Sequence, residues 1–403
     1  MTPLDQHPSG RHFLQIPGPS PVPDRILRAM SLPTIDHRGP EFGALGRTVL
    51  ADVRKVFKTR HPVVIYAASG TGAWEAALVN TLSAGDAVLM VETGHFAALW
   101  QKMAARLGLA TEIVTAPGSD ALLPEAPHWR RAVQPDQIEA RLRKDGAKKI
   151  KAVCVVHNET STGALSDIAA IRKAIDAAGH PALLLVDSIS GLACADLRHD
   201  EWGIDVTLAG SQKGLMLPPG LSFNALSAKA LAASKTSRMP RSYWSWEVML
   251  GFNSTGYFPY TPATNLLYGL REALHMLDEE GLEQVFARHR RLAVATRAAV
   301  AAWGLDIACR CAEEASSVVT TVMMPAGHEA DALRKVAVER FSLSLGAGLG
   351  KLKGRAFRIG HIGDLNDLML MGTLSGVEMS LTIAGVPFNR GGVNAALDVL
   401  TQK

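Results

Sequence analysis

PALLLVD at 181–187 and DVTLAGSQKG at 205–214 are the stretches that decide the fold. Each holds an apolar run of strand length ending in chemically capable residues: Asp187 closes the first, and Lys213 follows the second 26 residues later. Outward from them, PVVIYA (62–67), DAVLMV (86–91) and KAVCVV (151–156) have the same character. Segments between these runs, such as 72–82 and 166–178, place apolar residues at helical spacing. Strands apolar on both faces, alternating with helices, are the pattern of a parallel sheet covered on both sides. The expectation is an α/β protein, a large domain with a mainly parallel sheet flanked by helices, whose ligand lies beyond the carboxyl ends of the strands.

Further along, an aromatic-rich loop from Tyr243 to Tyr260 leads into one long helical stretch at 265–303. Beyond it SVVTTVMMP (317–325) and RAFRIGHIG (355–363) read as strands, and 331–341 and 364–383 as helices, a smaller C-terminal α+β domain. The expected division is a proline-rich N-terminal arm at 1–35, a large domain at 36–285 and a small one at 286–403. With 403 residues, 47% hydrophobic and 20% charged, the chain can bury full cores, which excludes disordered and fibrous classes. The net charge of +4 is small and the basic residues are scattered, so nucleic acid is not an expected partner. Cys154, Cys194, Cys309 and Cys311 form no CxxC pair, which points to a reducing compartment. Neither a membrane-length apolar run nor a leader-like start is present, so no membrane association and a cytoplasmic location are expected.

Three features meet at the strand ends. The turn Ser69-Gly70-Thr71-Gly72 opens a helix, and its glycines let backbone N–H groups approach an anion at the positive helix end. The same string also serves as an ordinary tight turn. A dinucleotide fingerprint would need a third glycine where Glu75 stands, although Glu92 lies 20 residues after Gly72, at the spacing of a ribose-binding acid. Asp187 at the end of an apolar strand needs a polar or cationic partner. Lys213 stands between Gly210 and Gly214, which permit close ligand packing. Together these suit pyridoxal 5'-phosphate: the phosphate on the Ser69 turn, Lys213 as Schiff-base amine, and Asp187 paired with the pyridine N–H so that the ring withdraws electrons.

The chain resembles the fold type I, class V aminotransferases, and within them the serine-glyoxylate and alanine-glyoxylate group. The resemblance is carried, in order along nearly the whole chain, by IPGP (16–19), IDHR (35–38), SGTGAWEAAL (69–78), HNETSTG (157–163), LLLVDS (183–188), GSQKG (210–214), PYTP (259–262) and FRIGHIG (357–363). It implies Lys213 and Asp187 as the catalytic pair, with Ser69, Gly70, Thr71 and Gln212 around the phosphate. It also implies that Thr160 approaches the ring hydroxyl and Phe96 covers the ring face. Tyr260 and Thr261 are implied to reach the neighbouring subunit's phosphate in a homodimer with shared active sites. Arg358, whose planar fork suits a carboxylate, is implied to hold the substrate, with His37 and Arg38 contributed by the arm segment.

The implied substrates are a small amino acid, L-serine first, and the 2-oxo acid glyoxylate. Alanine, aspartate or ureidoglycine are the alternative donors. A cysteine desulfurase would need a thiol in the loop 342–355, which has none. His157 reads as a structural strand-end residue because Lys213 can itself move the Cα proton. The histidines show no ligand spacing, so no metal is expected.

Overall fold

The computed structural model describes residues 10–402; positions 1–9 of the segment read as an arm, and Lys403, lie outside the described residues. The strands are β1 (Phe13–Gln15), β2 (Val63–Tyr66), β3 (Ala87–Glu92), β4 (Ala110–Thr115), β5 (Ile150–Val156), β6 (Asn158–Glu159) and β7 (Ala164–Leu165). They continue with β8 (Leu183–Asp187), β9 (Val206–Gly210), β10 (Ser222–Leu226), β11 (Val319–Met323), β12 (Leu343–Ala347) and β13 (Ala356–Gly360). Seven of them form one sheet in the order β2-β10-β9-β8-β5-β3-β4. All run parallel except β10, which is antiparallel to both its neighbours.

Strand alternation divides the core cleanly. Val63, Ile65, Leu89, Val91, Val153, Val155, Leu184 and Val186 point into one apolar cluster. Val64, Tyr66, Val88, Met90, Ala152, Cys154 and Leu185 point into another on the opposite face. This is the two-sided burial that the apolar runs predict. Two strands of the sheet escape the sequence pattern. Edge strand β4 is half-exposed along its length, and β10 is fully buried yet contains Ser222 and Asn224. Asn224 is tolerated there because its amide donates to the Ala73 carbonyl (3.2 Å) and accepts from Trp246 Nε1 (3.3 Å).

The second sheet has the order β1-β12-β13-β11. Strands β11 and β13 fall where the sequence places them, whereas β12 lies in the stretch 342–355 that reads as loop. Leu343 and Leu345 are buried on one side of it, a two-residue alternation hidden by the glycines that follow. Part of the arm segment is built into this sheet: β1 pairs in parallel with β12, Phe13 opposite Leu343. The stretch 265–303 is two helices, Thr264–Glu280 and Leu282–Ala302, because Gly281 adopts φ 79°, ψ 129° between them. The aromatic-rich loop likewise contains a short helix, Trp246–Asn253, capped by Ser245 Oγ accepting from Val248 N–H. No helix among the described residues is long and apolar enough to cross a membrane.

After β1 the chain crosses from the small sheet to the large one through Ile16-Pro17-Gly18-Pro19. The Gln15 amide donates to the Gly360 carbonyl (2.8 Å). Ser20 then bonds the lysine loop twice, through N–H to Gln212 O (3.0 Å) and through Oγ to Lys213 O (2.9 Å). Gly360 lies so close beneath this seam that a Cβ there would collide with the backbone of Ile16 and Pro17. Gly360→Ala should therefore destabilise the fold by about 1–3 kcal/mol, read as a lower urea midpoint. An unchanged midpoint would show that the seam yields freely.

Candidate active site

Lys213 projects from the turn after β9 into the seam. Its Nζ donates to the Pro17 carbonyl at 2.8 Å. Its stem runs under Gly18, where any side chain would strike Lys213 Cδ, Cε and Nζ. Burial, assisted by the positive charge of Arg358, pushes the amine down to about 8, against the opposing pull of Asp187. A lysine so shifted is neutral often enough near pH 7–8 to act as nucleophile or base.

Asp187, at the end of β8, is buried and accepts two bonds: Ile189 N–H to Oδ1 and Trp74 Nε1–H to Oδ2, each 2.8 Å. Trp74 is held in place by its stack on Trp100, centroids 6.0 Å apart at 15°. Burial nevertheless pushes the Asp187 carboxyl up to about 7, against both bonds. A cation placed on its open side would restore full ionisation.

The Ser69 turn meets the same place from β2. Ser69 precedes the helix Gly70–Thr81 in extended conformation, and its hydroxyl does not cap the helix. The N–H groups of Gly70 and Thr71 find no acceptor among the described residues, while Gly72 N–H is used by Ser69 O (2.9 Å). Gln212 Oε1 is buried without a partner. It converges with the Gly70 amide on the space beside Gly210, where a Cβ would meet them at 3.2 and 3.6 Å. Free N–H groups at a helix start and an uncommitted hydroxyl form a cradle that fits a phosphate, and Gln212 serves it with its amide turned so that Nε2 faces the anion.

The HNETSTG turn supplies the third side. Arg358, on β13 and 8% exposed, donates through Nη1 to the Thr160 carbonyl (3.0 Å) and through Nε to the Ala347 carbonyl (2.7 Å). No carboxylate pairs with it among the described residues, and Nη2 makes no hydrogen bond there. Burial pushes its guanidinium down to about 10, opposed by the charge of Glu159. A buried guanidinium with a free donor edge has the geometry to accept a carboxylate. His157 is buried beside Ser188 (Nδ1···Oγ 3.1 Å) and burial pushes it down to about 4, so it is neutral near pH 7 and structural.

A family model described as aminotransferase class-V matches residues 13–348. The chain belongs to the class-V aminotransferase family. It is 48% identical to a serine–glyoxylate aminotransferase of Methylorubrum extorquens, over 98% of this chain and 97% of that one. It is 43% identical to an L-aspartate–glyoxylate aminotransferase of Paracoccus denitrificans, over 94% of each. Among solved structures, a pyridoxamine–pyruvate aminotransferase from Mesorhizobium loti superposes with TM-score 0.88 at 27% identity, covering 98% of each chain.

Within this class-V aminotransferase the chain itself brings Lys213, Asp187, Ser69, Gly70, Thr71, Gln212, Thr160 and Arg358 to one edge of the large sheet. Phe96, partly buried at the start of helix His95–Arg106, is tied to the same turn through Glu159. The other four predicted residues make no hydrogen bond to this group among the described residues. Arg38 is exposed, and its backbone N–H donates to Asp36 Oδ1 (2.9 Å). His37 Nε2 is buried without a partner among the described residues. Tyr260 is 38% exposed and stacks on Tyr243 (5.0 Å, 20°), with Thr261 exposed next to it. Sequence reasoning missed Glu159, Trp74 and the Pro17-Gly18 contact; the strings containing them are visible, but the individual roles are not.

The lowered value of Lys213 carries a stability consequence in the cofactor-free protein. Below pH about 8 the amine is charged in both states and the fold bears its desolvation. Between about 8 and the ordinary 10.5, the unfolded chain binds the extra proton, so stability attributable to this group rises with pH. Urea unfolding should show the parent gaining on Lys213→Met between pH 7 and pH 10. A pH-independent gap would contradict the shift.

Proposed function

We propose that this aminotransferase uses pyridoxal 5'-phosphate to move the amino group of a small amino acid, L-serine by preference, onto glyoxylate, giving hydroxypyruvate and glycine. The observation that carries the reading is the convergence at one sheet edge of a desolvated lysine, a buried aspartate, a helix-start anion cradle and a buried arginine with no carboxylate partner among the described residues. Its similarity to a serine–glyoxylate enzyme over nearly the full length of both chains supports the donor and acceptor. When bound, the cofactor supplies an electron-withdrawing ring that acidifies the donor's Cα–H.

The chain's residues divide the remaining work. Ser69, Gly70, Thr71 and Gln212 hold the phosphate. Asp187, ionised by a cationic partner, keeps the ring nitrogen protonated. Phe96 would cover one ring face, and Thr160 would stand next to the ring hydroxyl. Arg358 holds the α-carboxylate of donor and acceptor alike, which orients the Cα–H toward Lys213. Lys213, depressed to about 8, takes that proton without needing a second base. The half-buried His37 and the exposed Arg38, Tyr260 and Thr261 complete the site of a second subunit in a homodimer.

An aspartate donor is the second reading, favoured by the similarity to an aspartate–glyoxylate enzyme. A donor panel with glyoxylate should give the largest kcat/KM for serine, above alanine and aspartate; a larger value for aspartate would reassign the donor and leave the site chemistry intact. Lys213→Ala should abolish turnover. Arg358→Ala should lower kcat/KM for every donor together, on the order of 10- to 100-fold, the worth of hydrogen bonds to a charged group. Mixing inactive Lys213→Ala and Arg38→Ala subunits should restore part of the activity. Absence of restoration would return Arg38 to its own subunit.

A further inference from the structure

Glu159 is fully buried and no cation forms a salt bridge with it among the described residues. Four hydrogen bonds hold its carboxylate instead. Oε2 accepts from the backbone N–H of Phe96 (3.0 Å) and Ala97 (3.1 Å). Oε1 accepts from Ser161 N–H (3.0 Å) and Ser161 Oγ–H (2.7 Å). Ser161 Oγ in turn accepts from His95 N–H (2.9 Å). The first three N–H groups of the helix His95–Arg106, which have no partner within the helix, are thus satisfied by a turn more than 60 residues away in sequence. Gly94 leaves room for this clamp, since a Cβ there would overlap Ser161 Oγ and Glu159 Cγ and Cδ.

The same turn holds the substrate side of the site. Thr160, the next residue, gives its carbonyl to Arg358 Nη1. One short segment therefore fixes Phe96 through the Glu159 carboxylate and Arg358 through the Thr160 backbone. We infer that Glu159 is a positioning residue: its carboxylate fixes the backbone that carries Phe96, the residue proposed to cover the cofactor ring, in register with the arginine proposed to receive the substrate carboxylate. This inference rests on the cofactor reading above. The charge is held by the helix start as well as by the bonds, because carboxylates are favoured at a helix N-terminus. Burial raises the carboxyl's pKa while the bonds from Ser161, Ala97 and Phe96 oppose that shift.

Each Glu159 oxygen serves two donors, so Glu159→Gln leaves two of them facing an NH2 group whichever way the amide turns. The test uses the purified holoenzyme with pyridoxal 5'-phosphate and measures four quantities: cofactor Kd, the visible circular dichroism per bound cofactor, kcat, and KM for glyoxylate. Glu159→Gln should weaken cofactor binding about 10-fold or more and lower kcat on the order of 10- to 100-fold, the loss of one or two charge-assisted bonds. The visible dichroism should change amplitude, and KM for glyoxylate should stay within about threefold because Arg358 keeps its own bonds. Ser161→Ala, which removes one bond to Oε1 and the bridge to His95, should move the same quantities in the same direction by less, and it decides the matter if the glutamine variant does not fold. If dichroism, cofactor Kd and kcat remain within twofold of the parent while only the melting temperature falls, Glu159 is merely structural and the inference is overturned. A parent protein that shows no visible band with the cofactor would overturn the cofactor reading instead.

Discussion

The whole site depends on holding a lysine amine largely out of water with no carboxylate paired to it among the described residues. Lys213 Nζ there bonds the Pro17 carbonyl, and the strand ends, the seam and the arm segment are arranged around that contact. Gly18 lies against the stem, and Gly214 fits so tightly that a Cβ would meet Leu192 O and Cys194 Sγ. The seam is anchored in turn by Gln15 on Gly360 and by Ser20 on the lysine loop. A desolvated ammonium costs free energy, and the fold tolerates it because surrounding packing over-determines its position. That cost is what makes the amine chemically available near neutral pH.

The electrostatics extend this logic to the neighbouring groups. Asp187 is raised and Lys213 and Arg358 are lowered, each first of all by burial, so all three move toward their neutral forms in the cofactor-free chain. In the proposed reading, a protonated ring nitrogen would partner Asp187 and a substrate carboxylate would partner Arg358, while Lys213 would meet the cofactor as a neutral amine. Glu159 fits the pattern as a carboxylate held by backbone N–H groups and the Ser161 hydroxyl, with its charge acting on both Asp187 and Arg358.

How much of this was legible follows from the range of each interaction. Asp187 and Lys213 could be read because an apolar strand announces its own polar end. The cradle could be read from Ser69 to Gly72 because it is local, whereas the approach of the Gln212 amide to the Gly70 N–H beside Gly210 appears only in three dimensions. Strand β10 was hidden by Asn224, a polar residue whose partners lie on other elements, and β12 by the glycines after it. Glu159 was invisible because the bonds that tie it to Phe96 and Ala97 come from backbone N–H groups 63 and 62 residues away, which no side-chain pattern encodes. The arm segment was legible as proline-rich, but its pairing with β12 spans more than 300 residues.

The central claim is that Lys213 is the amine that meets the cofactor. Borohydride reduction of the holoenzyme, followed by digestion and peptide mass mapping, tests it most directly. The account predicts one phosphopyridoxyl-modified peptide, containing GSQKG with the adduct on Lys213, and protection of that lysine's reactivity in the loaded protein. An adduct on another lysine, or a loaded enzyme whose Lys213 remains unmodified after reduction, would contradict it.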